Sequence, residues 1–176
     1  HCVTRRQRQM CIRDRPRPQV SLIKMKIIVF AHGKIKNGPE HMLISHYVNR
    51  FNRQFNNDFL TSLEISESTE VERQFNQKVS KMLDVKQSTV LLDRNGEHLD
   101  SEGFVNFLTS NSEKGIDQMF FIIGGAYGFP KPLTEKANKL LAISKMVFPH
   151  KIARLILVEQ LYRAKCILHR HPYHKT

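Results

Sequence analysis

Phe121-Ile122-Ile123-Gly124-Gly125-Ala126-Tyr127-Gly128 is the stretch of this 176-residue chain that decides its fold. A short apolar run that stops at paired glycines reads as a buried strand with a turn at its carboxyl end. Glycines at the end of a parallel strand let a ligand approach bare backbone amides. A plain tight turn is the competing reading, because GGxxG is short and common. The loop does not match the dinucleotide-binding fingerprint, in which the glycines follow the first strand and an acid lies about 20 residues further on. Here the loop follows the fourth strand candidate.

Working outward, the strand candidates are Lys26 to Ala31, Phe59 to Ile65, Thr89 to Asp93, Met119 to Ile123 and Lys145 to Phe148. Segments of helical period separate them. Leu43, Tyr47, Phe51 and Phe55 repeat every four residues, and so, nearly, do Val71, Phe75, Val79 and Met82, behind a Thr69 and Glu72 pair with capping-box spacing. Asn95-Gly96 marks a turn after the third strand, Pro130 and Pro132 open one helix, and Pro149 opens the last. Alternating strands and helices predict an α/β domain, a parallel sheet flanked by helices. With no repeat or linker in it, residues 25–176 form one domain.

Residues 1–24 stand apart. They hold seven Arg and Lys side chains against Asp14, half of the chain's formal net charge of +12, together with Pro16 and Pro18 and no strand or helix period. A basic RNA-touching arm, a targeting segment and upstream nucleotide sequence translated in error are the three readings, and the last is preferred. A transit peptide would be Ser-rich and amphipathic, and this leader has only Ser21. Only Cys166 falls in the domain, which excludes a disulfide framework. The longest apolar runs fall far short of the roughly 20 residues a bilayer requires. A soluble cytoplasmic protein is expected, and its basic excess suits a polyanion partner.

Several residues could carry chemistry. His150 follows Pro149 at the amino end of the last helix, where backbone dipoles favour neutral imidazole; a lone surface histidine is the commoner role. That helix, about Pro149 to Leu168, has Ile152, Leu155, Ile156, Leu161, Ala164, Ile167 and Leu168 as its apolar set. Lys151, Arg154, Tyr162 and Lys165 fall along another side, which reads as a solvated face rather than a phosphate grip, and Glu159 and Arg163 are spaced to pair. The ending His169-Arg170-His171-Pro172-Tyr173-His174-Lys175 mixes cations with an aromatic ring, as an unstacked base requires. A metal site at its three histidines is the rival, and it lacks both a rigid scaffold and an acidic or Cys ligand. No metal is expected.

From Met25 onward the chain resembles the RlmH family of small SPOUT-type methyltransferases, which modify N3 of a pseudouridine in large-subunit ribosomal RNA. The likeness rests on His32-Gly33, Leu91-Leu92-Asp93 with Gly96, Ile123-Gly124-Gly125-x-x-Gly128, and Ser144 to Arg154. It continues through Val158-Glu159-Gln160-Leu161-Tyr162-Arg163-Ala164 and the ending His171-Pro172-Tyr173-His174-Lys175. The leader has no counterpart. The resemblance implies a carboxy-terminal trefoil knot, a rare exception to the rule against knots. It implies S-adenosyl-L-methionine bound by Leu92, Gly124, Ile143, Ser144, Lys145, Met146, Val147 and Phe148, with Gly125 and Gly128 leaving room. It also implies a homodimer in which one subunit's tail helps to seat RNA in the other's site. His150 would assist removal of the N3 proton, Arg154 would stabilise charge or grip phosphate, and Tyr173 and His174 would contact the base. A catalytically silent RNA-binding module and a nicotinamide-dependent enzyme are the rival functions; binding of S-adenosylmethionine separates them.

Overall fold

The computed structural model describes residues 22–55, 58–84 and 88–173. Five strands and five helices alternate: β1 (Met25–His32), α1 (Pro39–Arg53), β2 (Leu60–Ser68), α2 (Glu72–Asp84), β3 (Ser88–His98), α3 (Ser101–Glu113), β4 (Gln118–Ile123), α4 (Lys131–Lys136), β5 (Lys139–Ala142) and α5 (His150–Leu168). The sheet runs β2-β1-β4-β3-β5, and each neighbouring pair is parallel. The expected α/β domain with helix-covered faces is therefore present.

Side-chain alternation explains the layers. Along β4, Met119, Phe121 and Ile123 join the core made with α1, α3 and α5, whereas Phe120 and Ile122 point to the other side, where Phe75, Val79 and Leu83 of α2 and Leu133 of α4 pack. Both faces are apolar because both are covered. Each fully buried Leu, Ile or Phe contributes about 1.5 to 3 kcal/mol. The chain's first described residues join this body: Ser112 Oγ donates to the carbonyl of Ile23 at 2.7 Å.

Five expectations need correction. The fifth strand is Lys139–Ala142, not Lys145 to Phe148. The latter segment is irregular: Met146 N donates to Ser144 Oγ at 3.0 Å, and Met146 and Val147 are 72% and 75% exposed. Asn95-Gly96 lies inside β3, where the register against β5 shifts between Leu92 and Glu97. A Cβ on Gly96 would stand 2.6 Å from the backbone N of Leu141, so only glycine lets β5 close on the shifted strand. The helix α2 begins at Glu72, so Thr69 is too early to cap it, and Val71 is exposed ahead of it. In α1 the inward residues are Ile44 and Phe51, Leu43 is exposed, and Phe55 lies past the end with φ 63°.

The last correction bears on function. Helix α5 buries Leu157, Val158, Leu161, Ala164 and Cys166, but also Arg154, Tyr162 and Lys165, which the sequence placed on a solvated face. Arg154 and Lys165 are 0% and 2% exposed. The helix lies against both α1 and α3, so it has little free face left.

Candidate functional site

The carboxyl ends of β3, β4 and β5 open into a cavity of about 460 Å³, within the range that holds a small-molecule cofactor. Its walls are Leu92 to Asn95, the loop Gly124 to Phe129, Leu141, and the irregular segment after β5. Leu92, Gly124, Gly125, Gly128, Ile143, Ser144, Met146, Val147 and Phe148, all read from the sequence as cofactor contacts, line it; exposed Lys145 does not.

The tight-turn reading of the glycine loop holds, and the loop lines the cavity. Gly128, at φ +72°, donates its N–H to the Gly125 carbonyl at 3.1 Å. The loop also closes tightly on itself: a Cβ on Gly124 would lie 3.2 Å from Phe129 Cζ and 3.3 Å from the Gly128 carbonyl oxygen. Leu92, Ile143 and Phe148 line the cavity beside Ser144 and His150, a mixed wall that suits a ligand with a polar edge and an aliphatic or aromatic body. Asp93, Arg94, Asn95 and Tyr127 also line it, although the sequence marked Asn95-Gly96 only as a turn.

His150 stands on the cavity wall, half-buried, in the first turn of α5. Burial, followed by the nearby cations Arg154 and Lys151, holds its imidazole below the ordinary histidine range, so it is neutral near pH 7. Its Nε2 lies 3.9 Å from where a Cβ on Gly33 would be.

One turn further along α5, Arg154 faces inward. Its Nη1 pairs with Glu67 Oε1, and its Nη2 donates to the carbonyls of Gly33 at 2.9 Å and His32 at 3.3 Å. Glu67 Oε1 also accepts from the backbone N–H of Ile35 at 3.0 Å. Burial pulls the guanidinium below its usual value and Glu67 opposes that pull. A cation so enclosed cannot grip a phosphate from solvent. It ties the end of β1 to the start of α5, and Glu67, on which this depends, was missed because nothing in β2's pattern marks it.

Tyr173 lies beyond the other end of α5. The chain there folds back along the helix, so the ring lies against the side of α5 and does not line its own chain's cavity. Its hydroxyl donates to Glu159 at 2.9 Å and lies 3.2 Å from the Tyr47 hydroxyl. Arg50 and Arg163 lie over the ring, and Tyr162 meets it edge-on. Burial, then these hydrogen bonds, pushes the phenol well up. The expected Glu159–Arg163 pair forms at 2.7 Å. His174 lies outside the described residues. His169 instead stacks on Phe55 and pairs with Asp58, and among the described residues no His, Cys, Asp or Glu cluster could hold a metal. No described helix is long and apolar enough to cross a membrane.

A family model described as "Predicted SPOUT methyltransferase" matches residues 25–174, opening where β1 opens. The chain belongs to the SPOUT methyltransferase family. Relatives of this SPOUT methyltransferase include the ribosomal RNA large subunit methyltransferase H of Brucella anthropi, 35% identical over 160 residues that cover 86% of this chain and 100% of that protein. The protein of that name from Sinorhizobium medicae is 36% identical over the same shares. Among solved structures, an A. aeolicus TrmH/SpoU tRNA modifying enzyme aligns with TM-score 0.41 and 12% identity, over 89% of this chain and 84% of that one.

Proposed function

We propose that this SPOUT methyltransferase binds S-adenosyl-L-methionine and methylates N3 of a pseudouridine in large-subunit ribosomal RNA, in the cytoplasm and as a homodimer. The observation that carries the reading is the cavity itself: it collects nine of the ten residues expected to hold the methyl donor, on elements far apart in the chain. In this reading the chain after β5 is threaded as a trefoil knot, which would fix the 143–148 segment against the glycine loop.

When bound, S-adenosylmethionine supplies an electrophilic methyl group on a positively charged sulfur. The chain's own part is to bind, align and deprotonate. Gly124, Gly125 and Gly128 offer main-chain groups to polar edges, while Leu92, Ile143 and Phe148 exclude water from the reacting pair. Alignment of the base supplies most of the acceleration. His150, neutral and on the cavity wall, accepts the N3 proton of the pseudouridine as methyl transfer proceeds. Arg154 is a positioning residue, which holds the β1 end and the first turns of α5 in register. Tyr173 is absent from its own chain's cavity wall, and in this reading the tail serves the cavity of a second copy, where His174 and Tyr173 contact the RNA.

The test has two arms. Titrating the protein with S-adenosylmethionine in a calorimeter should show binding at one site per chain. Mapping modified nucleotides in ribosomes from cells with and without the gene should show one N3-methylpseudouridine lost with the gene. Donor binding without any change in the RNA overturns the substrate assignment, and RNA binding without donor binding identifies a silent RNA-binding module.

A further inference from the structure

His32 ends β1 and is absent from the cavity wall, yet it touches what forms the wall. Ala31 of β1 pairs with Ile123 of β4, so the next residue of each strand is His32 beside the glycine loop. A Cβ built on Gly125 would lie 3.1 Å from His32 Nδ1, closer than side chains ordinarily pack, and 3.6 Å from its Cε1. The ring has little freedom to retreat. Its Nε2 lies 3.0 Å from the Glu70 carbonyl, to which it donates, and the Phe75 ring meets it edge-on with centroids 5.1 Å apart. Phe75 is itself fully buried and stacks on Phe30. The imidazole is thus a wedge seated on the α2 side of the sheet, with its free edge filling the space a side chain at residue 125 would need.

We propose that His32 is a positioning residue for the cofactor cavity: wedged behind Gly125 and braced by Glu70 and Phe75, its ring sets where the glycine loop stands and hence how tightly the methyl donor is held. The inference rests on the reading of the cavity as the donor's site. Gly125 is a sensitive reporter, because its φ lies outside the left-handed region and an alanine there meets no backbone penalty. The obstacle to a methyl group at residue 125 is the imidazole.

The test is a double-mutant cycle in the full chain, with His32→Ala, Gly125→Ala and the two combined. S-adenosylmethionine affinity is read by calorimetry and thermal unfolding is read on unliganded protein. Each single change should weaken binding about tenfold, and the combined protein should bind more tightly than Gly125→Ala alone, a coupling expected only between touching residues. His32→Ala should lower the unliganded midpoint modestly, because its ring packs on buried Phe75, and the combined protein should share that midpoint, so that the coupling in affinity is read at equal stability. Losses that multiply in the combined protein overturn the inference. So does unchanged affinity in His32→Ala. A parent protein that binds no donor instead overturns the proposed function on which the inference rests, and the parent titration reports that separately.

Discussion

The two ends of α5 make opposite use of polar side chains. At its start, no side chain caps the helix, His150 faces a cavity, and Arg154 Nε is buried without an acceptor. At its end, polar groups interlock: Lys165 donates to the Phe51 carbonyl at 2.8 Å, Tyr162 to Gln54 at 2.8 Å, and Tyr173 to Glu159. Gln54 is the residue that caps α1, and the Phe51 carbonyl lies in that helix's last turn, so the end of α5 completes the end of α1. Burial pushes the Tyr162 phenol up to about 12, which keeps it a donor at any ordinary pH. A helix can thus be closed at one end by satisfied polar groups while its other end, tied to β1 through Arg154, keeps His150 chemically available.

The comparison is broken most forcefully at Arg154. Arg154→Ala leaves Glu67 and two backbone carbonyls without their partner, and should lower unfolding free energy by about 3 kcal/mol in a denaturant titration. Arg154→Lys should recover little, since one ammonium cannot replace a fork that reaches three oxygens. Next in size, His150→Ala should reduce methyl transfer about 100-fold while donor affinity and stability stay near the parent's. Equal loss of transfer and of stability would erase the distinction between the two ends. Tyr173→Phe, at the closed end, removes one hydroxyl from a satisfied network and should cost about 1 kcal/mol of stability by thermal unfolding.

The smallest effect is a pH dependence at the open end. His150 titrates below 6.5 in the folded protein and near 6.5 when unfolded, so the unfolded chain takes up its proton first on acidification. Its stabilising contribution is complete above pH 6.5 and is lost as pH falls through the folded value. Subtracting the stability profile of His150→Gln from that of the parent should reveal this acid-side slope. Transfer activity should also persist somewhat below pH 6.5, because the imidazole stays neutral there.

What the sequence made legible follows from how local each signal is. The strand ends, the glycine loop and the prolines at Pro130 and Pro149 carry their meaning within a few residues, and they located the sheet and nearly the whole cavity. Lys145 to Phe148 misled because its residues favour a strand by composition, whereas β5 was decided by which segment could pair with β3 at Leu140 and Leu141. The buried cations of α5 were illegible for a stronger reason. Helical spacing shows that Arg154 and Lys165 share a side, but their partners stand 87 and 114 residues earlier, and nothing local announces them. His32 was visible only as part of a motif, since its wedge depends on Phe75 and Gly125 from two other segments.

Gly96 draws the floor and the rim of the cavity into one decision. Its missing side chain lets the edge strand close on the register shift, so Leu141 becomes cavity floor while Asp93, Arg94 and Asn95 are turned out as rim. A single methyl group at that point would not loosen the cleft by degrees. It would lift the edge strand away from its neighbour, and the vessel would lose its base before it lost its contents.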